Sequence, residues 1–135
     1  MASAWYPEGL RALMNKEVDL DTDTIKVRAI ADDDYTYSST DTTLTPIVKY
    51  TSSTDATVTC DITTTPGTLD GTDLTPAFSA LAQDGVKSID ALVIFQFITD
   101  DAGSTPLIYI DLTTPIDPNT GDINITWNAS GIASL

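Results

Sequence analysis

The sequence predicts an all-β fold: an antiparallel β-sandwich, jelly-roll-like or Ig-like, with one short N-terminal helix. Three observations point there. Apolar residues recur at every second position through most of the chain, the period of a strand with one buried face. Turn signatures punctuate it at short intervals, at Thr65-Pro66-Gly67, Asp70-Gly71, Asp84-Gly85 and Pro118-Asn119-Thr120-Gly121. Threonine and serine dominate the polar residues while lysine, arginine and glutamate are scarce, a balance that suits pleated sheets and turns better than helices. No strand-helix-strand spacing appears, so a parallel sheet is not expected. The 135 residues fit one sandwich domain spanning 1–135, with 1–20 as an N-terminal arm and short helix. A chain of this length buries enough surface to fold without a disulfide or a metal.

The helix comes first. Pro7 suits a first turn, and Leu10, Leu13 and Met14 then follow at helical spacing as far as Lys16. Trp5 and Tyr6 precede it with a large apolar surface. After that the period changes to two. In 24–30, Ile25, Val27 and Ala29 share one face, and Lys26 and Arg28 the other. In 57–62, Val58, Cys60 and Ile62 oppose Thr57, Thr59 and Asp61. In 121–128, Ile123, Ile125 and Trp127 oppose Asp122, Asn124 and Thr126. These three read as half-buried strands. Residues 91–98 are apolar on both faces and read as a central strand, with 106–112 as its neighbour. Asp100, Asp101, Gly103 and Ser104 form the hairpin between them. Weaker strands are expected at 47–51, 77–79 and 132–135, and an exposed Thr/Ser-rich loop or edge at 38–45.

Little in the sequence can carry covalent chemistry. There is no histidine, which removes Ser-His, Cys-His and histidine-ligand mechanisms. Cys60 is the sole cysteine, so no intramolecular disulfide forms, and its place on an apolar strand face reads as packing. The scattered glycines make neither a dinucleotide nor a Walker pattern. The 18 aspartates sit mostly beside Gly, Pro, Ser or Thr, where a turn role suffices. Two aspartate runs invite a test for calcium: Asp117, Asn119, Gly121 and Asp122, and the run Asp32, Asp33, Asp34. Neither is followed by the bidentate glutamate of a calcium loop, and both read as solvated turns. The expectation is no enzyme activity, no cofactor and no metal.

The net charge is −14, which repels phosphate backbones and argues against nucleic-acid binding. The charge is uneven. Residues 1–30 carry a net −1, while 31–135 hold only Lys49 and Lys87 against fifteen acids. The N-terminal part therefore meets an acidic partner at the least electrostatic cost. The longest apolar block, 91–95, is too short to cross a membrane. The opening MASAWYPEGLRALMNK has no basic stretch leading into an apolar one, so no signal peptide is expected.

Three blocks together carry a resemblance. The first is Trp5–Met14, W-Y-x-x-G-x-x-A-L-M, followed by Asp21-Thr22-Asp23-Thr24-Ile25-Lys26-Val27. The second is Ala91–Phe95 leading into Ser104–Asp111. The third is Pro118–Trp127 with a short apolar tail. In this order, covering about half the chain, they resemble a family of small virion proteins of tailed bacteriophages, head decoration or tail-associated. The middle, about 40–80, departs from that pattern in being richer in threonine. The resemblance implies a structural role with no catalytic residues to carry over. The expected function is a capsid decoration (cement) protein on the outer capsid surface of the virion, made in the host bacterial cytoplasm. A neck or tail-associated protein is the first alternative, and a carbohydrate-binding adhesin module the second. The expected partners are the major capsid protein and neighbouring copies of the chain, with a trimer as the expected oligomer. The partner-binding residues are expected to be Trp5, Tyr6, Leu10, Arg11, Met14 and Lys16. The competing reading of this segment is that its helix merely closes one end of the chain's own sandwich.

Overall fold

A strand that is apolar at odd and even positions alike must be covered on both sides, and 89–98 meets that demand from two directions. The computed structural model of the protein describes residues 3–63 and 66–134. Its elements run β1 (Ala4–Trp5), α1 (Pro7–Met14), β2 (Ile25–Ile30), β3 (Ala56–Val58), β4 (Cys60–Asp61), β5 (Thr68–Gly71), β6 (Leu74–Phe78), β7 (Ile89–Ile98), β8 (Asp100–Ile116), β9 (Ile123–Ile125) and β10 (Ala133–Ser134). The architecture is all-β, antiparallel and sandwich-like, with one short helix. The main sheet has the order β1-β8-β7-β2-β3. Two smaller sheets, β10-β5-β4 and β6-β9, complete it.

The β7–β8 hairpin is the expected central pair, in register at Val93↔Tyr109 and Leu92↔Ile110, but its reversal is at Thr99: residues 100–104, expected as the loop, begin β8, and Asp100 pairs with Ile98. On one face, Leu92 and Ile94 join Ile25, Val27 and Ala29 of β2 in a core shared with Leu69, Phe78 and Ile125 of the small sheets. On the other face, Ala91, Val93 and Phe95 pack with Tyr6, Tyr35, Leu44 and Ile47. That second layer has no strands of its own. It is made by the stretch between β2 and β3.

Several expectations are corrected here. Residues 47–51 form no strand: Leu44, Ile47 and Tyr50 are buried three residues apart, not two. Turn bonds from Ile47 N–H to the Leu44 carbonyl (2.9 Å) and from Ser53 N–H to the Tyr50 carbonyl (3.0 Å) set that spacing. Within 38–45, expected to be exposed, Leu44 is fully buried. The stretch 57–62 is not one strand. β3 pairs with β2 in the main sheet, and β4 pairs with β5 in the second. The chain changes sheet at Thr59, whose carbonyl accepts from Thr72 N–H at 3.0 Å. Asp70-Gly71 is no turn but part of β5, where a Cβ on Gly71 would lie 3.1 Å from Val58 and Ile132. At 132–135 only Ala133–Ser134 pair, with β5, and Leu135 lies outside the described residues, as does Thr65 of the first turn signature.

Strand β2 is likewise covered on its second face. Arg28, expected on an exposed face, is 3% exposed. Its guanidinium donates to both oxygens of Asp55 (3.1 and 2.8 Å), to both of Asp101 (3.2 and 2.8 Å) and to the Ile47 carbonyl (2.7 Å). Burial by itself disfavours that charge, and the two carboxylates more than offset it, so the pKa is raised. One side chain thus ties β2, the covering segment and the β7–β8 hairpin tip together.

The N-terminal segment is part of the fold and not a free arm. β1 pairs with β8 at the sheet edge. Trp5 packs toward one core, and Tyr6 is fully buried in the other. Tyr6 hydroxyl bonds Tyr35 hydroxyl at 2.8 Å, and Tyr35 donates to Asp41 at 2.7 Å. Helix α1 buries Gly9 and Ala12. A Cβ on Gly9 would sit 2.6 Å from the Pro106 carbonyl oxygen and 2.8 Å from Leu107 Cα.

Two stability tests follow. Gly9→Ala should destabilise by roughly 1–3 kcal/mol in urea denaturation, because forced backbone displacement outweighs alanine's better helix propensity. Arg28→Ala should cost about 3 kcal/mol, since it strands the mostly buried Asp55 carboxylate. Arg28→Lys, which keeps the charge but loses the fork, should lose less.

Candidate interaction face

Helix α1 starts at Pro7, and Tyr6 N–H is anchored on the Leu107 carbonyl at 2.8 Å. At its other end Lys16 takes a left-handed conformation (φ 60°), and Glu17 N–H returns to the Ala12 carbonyl at 2.8 Å. The next loop is closed by its own aspartates. Asp19 accepts from Asp21 N–H at 3.0 Å, and Asp23 accepts from Asp19 N–H at 2.8 Å. Gln96 of β7 donates to Asp23 (2.7 Å) and to the Glu17 carbonyl (3.2 Å), which holds the loop against the main sheet.

Next to the face that carries Gly9 and Ala12, α1 presents larger apolar side chains. Leu10, Leu13 and Met14, with Trp5 and Leu20, form one wall of a hollow of about 610 Å³. Ile62 and Leu69 form the other. A second hollow of about 300 Å³ shares Leu13, Leu20 and Ile62 and has Lys16 and Asp19 at its end. Together they make an open trough between the helix and the β4–β5 sheet. Met14 is 82% exposed and Ile62 38%. Among the described residues no carboxylate lines the larger hollow.

Of the residues expected to bind a partner, Trp5, Leu10 and Met14 line this trough, and Lys16 stands at its end. Arg11 lies outside it, clamped by Glu8 and Glu17 at 2.6 Å each. That clamp holds Glu8 below the usual carboxylate range. Arg11, with help from Asn15, brings Glu17 down to about 2. Tyr6, buried in the second core, offers no surface. Leu13, Leu20, Ile62 and Leu69 were not expected. Ile62 is brought there by the change of sheet at Thr59, which alternation alone does not reveal.

The other expected features have local roles. Burial pushes the half-buried Cys60 thiol up to about 11. Asp117 accepts from the Ser88 hydroxyl, Asn119 from Gly121 N–H at 3.3 Å and Asp122 from Ala80 N–H at 2.9 Å. Those oxygens hold turns. Among the described residues no group of three or more acidic or cysteine side chains is placed to hold a metal ion, and no helix is long and apolar enough to cross a membrane. Trp127 packs half-buried against the core, its indole N–H donating to the Thr72 carbonyl at 3.1 Å. It lines a third hollow, apolar and of about 300 Å³, between the sheets.

In the run 32–34, Asp34 is bound by Lys87 at 2.7 Å. Desolvation, then the charges of Asp90 and Asp111, push the Asp32 carboxyl up. Compared with protein-family models, with curated proteins and with solved structures, the chain matches none. The reading of this face therefore rests on its geometry and charge.

A carboxyl whose pKa is raised by folding binds its proton more tightly in the folded state. Its ionised form then detracts from stability at neutral pH, and ceases to do so as pH falls through the folded value toward the unfolded one. Asp32→Asn should therefore raise the melting temperature at neutral pH, by well under about 1 kcal/mol for so exposed a group. The gain should vanish in acid, as thermal melts across pH will read.

Proposed function

We propose that this chain is a structural protein of a tailed-bacteriophage particle, a decoration protein that binds the outside of the capsid shell and acts by adhesion. The observation that carries this reading is the apolar trough beside α1. It is an open hydrophobic surface between α1 and the β4–β5 sheet, whose larger hollow is lined by no carboxylate among the described residues. Exposed apolar surface of this kind marks an interaction site. The strongly acidic remainder suits a solvent-facing exterior and repels packaged nucleic acid. Three blocks of sequence resembling small virion proteins support the same reading. A modest contact suffices for such a role, because many copies on one lattice add their contributions.

The test is direct. Mass spectrometry of purified particles should find the chain on the order of hundreds of copies, as a lattice-wide decoration requires; a dozen or fewer would favour a neck or tail position. Met14→Asp should leave stability within about 0.5 kcal/mol, because the side chain is exposed. It should weaken binding to undecorated shells about tenfold or more in co-sedimentation. Unchanged binding would remove the trough as the contact.

A further inference from the structure

We infer that the trough seats an apolar segment of a shell protein bearing a carboxylate, and that this carboxylate pairs with Lys16. The inference rests on the particle reading above and names the chemistry of the partner. Its basis is the state of the six cations. Arg11 is held by Glu8 and Glu17, Arg28 by Asp55 and Asp101, and Lys87 by Asp34 and Asp84. Lys26 lies 3.9 Å above the Phe97 ring. Among the described residues only Lys16 and Lys49 have no such partner, and Lys16 is the one at the trough.

The acids around Lys16 are engaged elsewhere. Glu17 binds Arg11 and Asn15 at 2.6 Å each. Asp19 binds Asp21 N–H at 3.0 Å and is held below the usual range by that bond and by Thr22. Asp23 accepts from Gln96 and from Asp19 N–H. The helix end and the left-handed turn fix the Lys16 backbone where it lines the smaller hollow, and among the described residues it makes no salt bridge of its own.

Charge then selects among occupants. A cationic segment would find stronger attraction over residues 31–135, which carry a net −13. A second copy would bring another −14 toward this one. An apolar segment with a single acidic residue, or ending in its own α-carboxylate, satisfies both the trough wall and Lys16.

The experiment measures co-sedimentation of purified chain with undecorated shells across a salt series, for wild type, Lys16→Glu, Lys16→Met and Lys49→Glu. Lys49 lies on the segment covering the opposite face, and Lys49→Glu changes net charge as much as Lys16→Glu does. Lys16→Glu should weaken binding about threefold to tenfold at low ionic strength, and the difference should shrink as salt rises. Lys16→Met should fall between, and Lys49→Glu should stay near wild type. A benzophenone side chain at position 14 should cross-link to a shell-protein peptide containing Asp, Glu or a C-terminus. Equal effects of Lys16→Glu and Lys49→Glu would overturn the pairing, as would cross-links only to a carboxylate-free peptide or to a second copy. Failure of wild type to bind shells at all would defeat the particle reading and take this inference with it.

Discussion

The whole structure answers to one constraint: the central strand β7 and the middle of β8 are apolar on both faces, and β2 beside them is buried on both, so neither face of the main sheet can meet water. Burying a large aliphatic or aromatic side chain is worth roughly 1.5–3 kcal/mol, and fully buried side chains lie on both sides of this sheet, Ile25 and Ile94 on one and Val93 and Phe95 on the other. The small sheets and α1 close the first side. The segment between β2 and β3 closes the second with Tyr35, Leu44 and Ile47, although it carries no strand to hold it in place. That task falls to polar anchors. Arg28 reaches Asp55 and the Ile47 carbonyl, Tyr50 N–H bonds the Ala29 carbonyl at 2.7 Å, and Lys87 binds Asp34. Buried polar groups so fully paired define a unique arrangement where apolar contacts alone would allow several.

The legible parts of the sequence were those with a clean period. Alternation located β2 and β9, and the doubly apolar run located β7 and its hairpin with β8. Pro7 and the Leu10, Leu13, Met14 spacing place the helix to within two residues of its end. What alternation cannot show is whether a polar face meets solvent. Lys26 and Arg28 fall on the face that was read for them, but that face is roofed by a segment some twenty residues away in sequence. The Leu44, Ile47, Tyr50 spacing was a further signal. Three-residue intervals between buried residues belong to successive turns, not to the two-residue period of a strand. The Asp70-Gly71 pair misled for another reason: the dipeptide favours a turn only where its neighbours do not pack, and Leu69 is buried beside it.

The candidate face was half legible. Its apolar helix residues and Lys16 were visible by composition and charge balance. Ile62 and Leu69 were not, because they reach the trough only through the switch of sheet at Thr59. Arg11 shows the converse. Its sequence position suggested a partner contact, yet Glu8 three residues before it and Glu17 six after it take up all its donors that matter. A charge becomes available to a partner only when its own chain leaves it unneutralised, and that is decided by geometry.

The two readings of the N-terminal segment are therefore not exclusive. An eight-residue helix is marginal by itself, and α1 holds because Gly9 lies flat against the β8 backbone, where its lack of a side chain permits the contact, and Ala12 is buried in the first core. That packing uses only the narrow face of the helix. A helix that served solely as a lid would place Leu10, Leu13 and Met14 on the packed face and small or charged residues outside. Here Leu13 packs half-buried against the core, while Met14 is turned outward. Closing the sandwich accounts for Gly9, Ala12 and the half-buried Leu13, and leaves the exposed Met14 without an intramolecular purpose. Exposed apolar bulk on a rigid support is what a contact surface requires, and its position next to the least acidic part of the chain lets an acidic protein approach another without strong repulsion.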